Sequence, residues 1–213
     1  MASKKLYILC FGNSLTAGYY NMGLGEHPYA IKLAQTVTKM LPDYEVETVV
    51  EGRPGDMVLK GRGAFLQRMQ EQFADDDFDW TIVLGGTNDL ARGGGPEKIF
   101  ADLLHTYSVP LEHGSKVLAL TVPETGTKVQ WLSENRSKLN DLIKQHKAKN
   151  FHVFDFNEAF PYWKWSAADR KRYYDDAVHF TPDGYDLMGE RVGAALAELL
   201  AGEKVEVEKF ATV

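Results

Sequence analysis

Five short apolar runs, Leu6–Phe11, Val46–Val50, Trp80–Leu84, Val117–Val122 and Phe151–Phe156, constrain this chain more than any other feature. Each is rich in β-branched or aromatic residues and short enough for a buried strand. Between them lie stretches with helical spacing: Tyr29–Met40, Ala64–Phe73, Pro96–Leu111, Val129–His146 and Pro182–Leu200. Runs that are apolar throughout, rather than at every second residue, leave no face for water. Such strands belong to a parallel sheet covered by helices on both sides. The expected class is therefore α/β, a three-layer α/β/α arrangement around a five-stranded parallel sheet.

With 213 residues, 44% of them apolar, the chain suffices for one domain with a substantial core. We expect a single domain over 1–213. No repeat or Pro/Ser-rich linker divides it, and the Gly93-Gly94-Gly95-Pro96 run reads as a loop ending in a helix-starting proline. The tail from Glu203 to Val213 alternates charge with valine, which leaves an edge strand, an intersubunit arm and disorder all open.

Charge and cysteine content exclude several roles. The formal charge is −6 with acidic and basic residues interspersed, so no dense basic face is expected for a nucleic-acid backbone. The single cysteine, Cys10, lies in the first apolar run and reads as a small buried hydrophobe. The opening MASKKLYILCFGNSL has too short an apolar stretch for a secretory signal, and no segment approaches the ~18 apolar residues of a membrane span. A cytoplasmic protein without stable membrane insertion is expected. His27, His105, His113, His146, His152 and His179 are dispersed and form no compact ligand motif with carboxylates, so neither metal nor other cofactor is expected.

In open parallel sheets, ligands bind beyond the carboxyl ends of the strands. The segments there are FGNSLTAG, EGRPGD and GGTNDL. Ser14 follows the first strand, with Gly12 and Gly18 permitting a sharp turn, and could present a hydroxyl at the sheet edge or simply cap a helix. Asp176 and His179 stand three residues apart, just before Thr181 and Pro182, a plain N-cap and first helical residue. That spacing lets the carboxylate reach one imidazole nitrogen and fix the tautomer, freeing the other to accept a serine proton. Asp175 is the competing partner. Asn88 can aim amide N–H groups at a developing oxyanion, and Gly55 can bring a backbone N–H close to a ligand. Each residue taken alone also reads as a turn or cap; together they supply nucleophile, base, orienting carboxylate and two donors.

These blocks resemble the SGNH (GDSL-like) hydrolase family from Leu6 to about Leu200. FGNSLTAG places the family nucleophile on Ser14, GRPGD the oxyanion glycine on Gly55, GGTNDL the oxyanion asparagine on Asn88, and DAVHFTPDGY the acid and base on Asp176 and His179. The resemblance implies a flavodoxin-like fold and cofactor-free hydrolysis of an ester through an acyl-serine, with the Ser14 backbone N–H as a third oxyanion donor. Small esters, acetylated sugars, thioesters and lysophospholipids are the substrates it implies. One departure is Asn13, where the family commonly has Asp; the amide keeps hydrogen-bonding capacity but loses the charge. The G-x-S-x-G elbow of the unrelated α/β-hydrolases is absent. A ligand-binding protein that has lost turnover is the alternative to a serine esterase, and a metal-dependent phosphoesterase is a third reading.

Two aromatic segments, Tyr19-Tyr20-Asn21-Met22 and Phe160 to Trp165, are expected at the rim of the site, as walls of a shallow acyl pocket or, for the second, as core. Short connections and no long apolar lid favour small, short-acyl esters.

Overall fold

A computed structural model describes residues 3–211, and the side chains of 204–211 lie outside the description. Its central sheet has five parallel strands, β1 (Lys4–Gly12), β2 (Tyr44–Gly52), β3 (Trp80–Leu84), β4 (Lys116–Leu120) and β5 (Phe151–Phe154), in the order β2-β1-β3-β4-β5. The helices are α1 (Ser14–Ala17), α2 (Tyr29–Met40), α3 (Phe65–Asp75), α4 (Thr87–Ala91), α5 (Pro96–Glu112), α6 (Gln130–Gln145), α7 (Phe156–Ala159), α8 (Ala167–Tyr173) and α9 (Pro182–Ala211).

The alternation along β1 shows why the strand reads as apolar throughout. Leu6, Ile8 and Cys10 face one layer with Leu33 and Val37 of α2 and Met188, Val192 and Leu196 of α9. Leu9 and Phe11 face the other, with Phe65 and Met69 of α3, Leu103 and Tyr107 of α5 and Leu139 and Ile143 of α6. Cys10 is fully buried, and burial pushes its thiol pKa up to about 12, which suits a packing residue.

Edge strand β2 departs from the expectation of strands apolar on both faces. Its residues are half-buried or exposed, and Glu45 and Glu47 project from it. Charge on an edge strand discourages pairing with another chain. Four further short helices and a two-stranded ribbon, Tyr19–Tyr20 with Gly25–Glu26, fill connections that the periodicity left as loops. The strands after Val117 and Phe151 stop two residues short of their apolar runs, at Leu120 and Phe154, because the chain then turns into the loops at the sheet's carboxyl edge. Toward the C-terminus α9 continues to Ala211, beyond the expected end at Leu200, so residues 203–211 of the tail are helical and 212–213 lie outside the described residues.

Strand order reverses between β1 and β3. The connection from β1 leads outward to β2, and the next crosses back to β3 on the other side of β1. At such a switch point the loops splay apart and leave a crevice at the carboxyl ends of the strands. Ser14 follows β1 and Asn88 follows β3, so both stand at this crevice.

Candidate active site

The first turn after β1 is built by Asn13, whose side-chain Oδ1 accepts from the Leu15 N–H at 3.3 Å and caps α1. Its backbone carbonyl accepts from Thr16 at 3.1 Å and Ala17 at 3.0 Å. Ser14 is thus the first residue of the helix rather than its cap. Gly52, at the end of β2, has no room for a side chain, since a Cβ there would stand 2.2 Å from the Ala17 nitrogen. Close packing of α1 on that glycine fixes the height of Ser14 above the sheet.

His179 approaches from the loop before α9. Thr181 Oγ1 accepts from the Gly184 N–H at 3.2 Å, and Pro182 is the first helical residue, so the helix start is the one expected. Between α8 and α9 the chain doubles back, with Asp175 N–H donating to the His179 carbonyl at 2.9 Å. Asp176 Oδ1 accepts the backbone N–H groups of Val178 at 2.7 Å and His179 at 2.6 Å, while its Oδ2 lies 2.8 Å from His179 Nδ1. His179 Nε2 lies 3.0 Å from Ser14 Oγ. Burial pulls the Asp176 carboxyl pKa upward, but the imidazole and the two backbone N–H groups outweigh it and hold it below the usual aspartate value. A charged carboxylate on Nδ1 favours the tautomer with its proton there, leaving Nε2 as the acceptor. Asp175, the competing partner, is engaged elsewhere: its Oδ2 accepts the Asn21 N–H at 2.7 Å.

That bond ties the Asp176–His179 loop to the small ribbon after α1. Tyr19 in the ribbon places its ring 4.6 Å from the imidazole of His179, and the Tyr185 hydroxyl donates to the Tyr19 carbonyl at 2.7 Å. Tyr19 therefore stands at the rim as expected, with Met22 and Leu24 exposed beyond it. The second aromatic segment is mostly core: Phe160 is fully buried, and Tyr162 and Trp165 pack on the α2–α9 layer, leaving Trp163 outside.

Asn88, in the first turn of α4, donates from Nδ2 to the Asp56 carbonyl at 2.8 Å. One amide N–H is thereby spent on orientation, and among the described residues the other makes no hydrogen bond. Gly55, one residue before Asp56, has φ of +78°, and nothing lies within 4 Å of where its Cβ would be. A glycine suits the left-handed backbone there, and the space beside it is open.

Three residues that sequence reasoning did not single out hold this loop. Asp56 Oδ1 accepts the N–H groups of Met57 and Ala64, both at 2.9 Å. Arg68, buried on α3, donates to Asp56 Oδ2 at 2.6 Å, Glu51 Oε1 at 2.8 Å, and the Gly12 and Glu51 carbonyls at 3.2 and 2.8 Å. One guanidinium thus joins the ends of β1 and β2 to the Gly55 loop. Asp89 accepts the N–H groups of Val58 at 3.0 Å and Leu59 at 2.9 Å, though burial raises its pKa. The available signal was Arg68 on the apolar stripe of α3 with Phe65, Met69 and Phe73, since a cation on a buried stripe requires an anion opposite.

Beside Asn88 is a cavity of about 100 Å³, lined by Leu90, Ala91, Val122, Leu132 and Val178 among others. Its walls come from α4, α6, the loop after β4 and, through Val178, the loop before α9. Asn140 pins that loop, accepting from the Val122 N–H at 2.8 Å and donating to its carbonyl at 2.9 Å. Gly126 N–H donates to Ala177 at 2.7 Å, joining the loop to the His179 segment. Among the described residues, no group of three or more His, Cys, Asp or Glu is placed to hold a metal ion, and no helix is long and apolar enough to cross a membrane.

The sheet thus carries Ser14, His179 and Asp176 in a hydrogen-bonded line at its switch point. Residues 10–187 match the GDSL-like Lipase/Acylhydrolase family, and the chain belongs to it. The lipase/acylhydrolase from Enterococcus faecalis is similar in structure at a TM-score of 0.67 and 22% identity, over 91% of this chain and 96% of that one. The psychrotrophic esterase EstA from Pseudoalteromonas sp. is similar at a TM-score of 0.69 and 15% identity, over 92% of this chain and 98% of that one. A lipolytic protein of the G-D-S-L family from Veillonella parvula is similar at a TM-score of 0.65 and 21% identity, over 87% and 95% of the two chains. No curated protein sequence matches the chain.

Proposed function

We propose that the chain is a serine esterase for small, short-acyl carboxylic esters. The observation that carries this reading is the continuous run from Ser14 Oγ through His179 to Asp176, at 3.0 and 2.8 Å. In this reading Ser14 Oγ attacks the ester carbonyl while His179 Nε2 takes its proton. The tetrahedral oxyanion is met by the backbone N–H groups of Ser14 and Gly55 and the free amide N–H of Asn88. Collapse breaks the bond to the alkoxide, which leaves with the proton from His179, and the acyl group stays on Ser14. A water then gives its proton to His179 and attacks the acyl-serine, and collapse returns that proton to Ser14 as the carboxylic acid departs. Asp176 stabilises the imidazolium at both stages without taking the proton.

Acyl size follows from the cavity beside Asn88. At ~30 Å³ per water-sized group, about 100 Å³ is room for only a few such groups, which favours acetyl to butanoyl chains over long ones. The direct test is Ser14→Ala, which removes the nucleophile with little change in volume. The expected kcat on p-nitrophenyl acetate is below about one-thousandth of wild type with the thermal transition unchanged. Retained turnover in the purified variant would overturn the assignment. Catalysis lacking in the wild type would favour a ligand-binding role.

A further inference from the structure

Arg136 on α6 lines the cavity beside Asn88, and the whole residue is only 5% exposed. Its guanidinium donates to neutral oxygens alone, each at long range: the Pro123 carbonyl at 3.3 Å, Thr125 Oγ1 at 3.4 Å and Ser133 Oγ at 3.3 Å. Among the described residues it forms no ion pair. Arg68, 1% exposed, has two carboxylates within 2.8 Å. Glu124 acts on Arg136 only at longer range, and its Oε2 accepts the Trp163 N–H at 3.1 Å. Burial lowers the pKa of Arg136 by more than the Glu124 carboxylate raises it.

A cavity whose wall includes a guanidinium with no carboxylate in ion-pair range is poorly suited to a purely hydrocarbon chain, because the cation would stay without a counter-charge once water is expelled. A carboxylate supplies four lone-pair sites and a negative charge, and a planar guanidinium binds it through two N–H groups at once.

We propose that this cavity is an acyl subsite for a short acyl chain ending in a carboxylate, with Arg136 as its specificity-determining residue. The proposal rests on the esterase reading and names its substrate class: half-esters of short dicarboxylic acids. The cavity of about 100 Å³ limits the acyl chain to a short one, with its carboxylate end against Arg136. Hydrolysis of such a half-ester adds water across the ester bond and yields the alcohol and the dicarboxylate, with no other reactant.

The test compares three methyl or acetyl esters by pH-stat at pH 7: monomethyl succinate, methyl butyrate of matching length, and O-acetylglycolate, whose carboxylate lies on the alcohol side. The wild type is expected to prefer monomethyl succinate over methyl butyrate by about tenfold or more in kcat/KM, and over O-acetylglycolate as well. In Arg136→Met the ratio of the first two should fall to about one or below, whatever the absolute rates. Arg136→Lys, which keeps the charge but loses the planar pair of N–H donors, should lower the ratio only in part. A wild-type ratio near one, or a preference for O-acetylglycolate, would overturn the subsite while leaving the esterase reading intact. So would a ratio unchanged in both variants. Inertness of the wild type toward all three esters and p-nitrophenyl acetate would overturn the esterase reading and the subsite together.

Discussion

Replacing Arg68 by Met tests whether the oxyanion side of the site is held by one buried cation. The side chain is 1% exposed and paired with Asp56, 4% exposed, at 2.6 Å and Glu51, 28% exposed, at 2.8 Å. Methionine fills much of the volume but leaves the Asp56 carboxylate with two backbone N–H groups and no counter-charge. Removing one partner of a buried pair costs about 3–5 kcal/mol. For a chain of this length each kcal/mol lowers Tm by roughly 2–4 °C, so the expected fall is roughly 6–20 °C. The Asp56 carbonyl also orients Asn88, so kcat should fall more than KM rises in the molecules that remain folded. Thermal unfolding by circular dichroism and steady-state kinetics at 20 °C read both effects. Glu51→Gln, which keeps an acceptor on the more exposed branch, should cost less than about 1 kcal/mol. A Tm shift under about 2 °C in Arg68→Met with unchanged kcat would refute the reasoning.

Other expectations follow from the same geometry. Asn88→Ala should lower kcat by roughly 10²–10³ with a smaller change in KM, as a transition-state donor would; a pure KM effect would make Asn88 a binding residue. Asp176→Asn should damage kcat severely, whereas Asp175→Asn, which loosens only the bond to Asn21, should act mainly on KM; the reverse pattern would reassign the orienting carboxylate. The Asp176 carboxyl is held below its ordinary value of 3.8, so its stabilising contribution is complete above that pH and is lost only as pH falls through the depressed value. Protonation of the Asp176 carboxyl should therefore have its midpoint below 3.8, read from its side-chain carboxyl resonance, and protonation at or above that value would contradict the bonding described. Among neutral acyl esters, kcat/KM should rise up to about fourfold per methylene, from ~0.8 kcal/mol each, and then drop once the cavity is full; a continued climb to long chains would favour a lipid substrate.

Much of the architecture was legible because burial on both faces writes itself into continuous apolar runs. Trp80–Leu84 and Tyr29–Met40 have the bounds their composition suggests. Polar strand ends were not visible: Lys4 and Lys5 pair with Tyr44 and Glu45 through the backbone, which hydropathy does not report. The structure brings Ser14, His179 and Asp176 into hydrogen-bond contact because each follows a strand or precedes a helix at the same sheet edge, and local motifs carry that information. The supports were not legible. Arg68 reaches residues 12 and 17 positions away, and Asp89 holds a loop 30 and 31 positions back, so their roles exist only in the folded chain. Aromatic content alone did not separate rim from core, since Tyr19 lies beside His179 while Phe160 and Trp165 serve the core, and aliphatic residues such as Val122 and Leu132 line the cavity by Asn88.

The central claim is that Ser14 is a nucleophile activated by His179, and covalent capture tests it most directly. Intact-mass and peptide mass spectrometry after treatment with a small fluorophosphonate should show one adduct per chain, on the peptide containing Ser14. That adduct should be absent from Ser14→Ala and form far more slowly in His179→Ala. A wild-type chain that stays unlabelled while folded, or an adduct on a residue other than Ser14, would contradict the account.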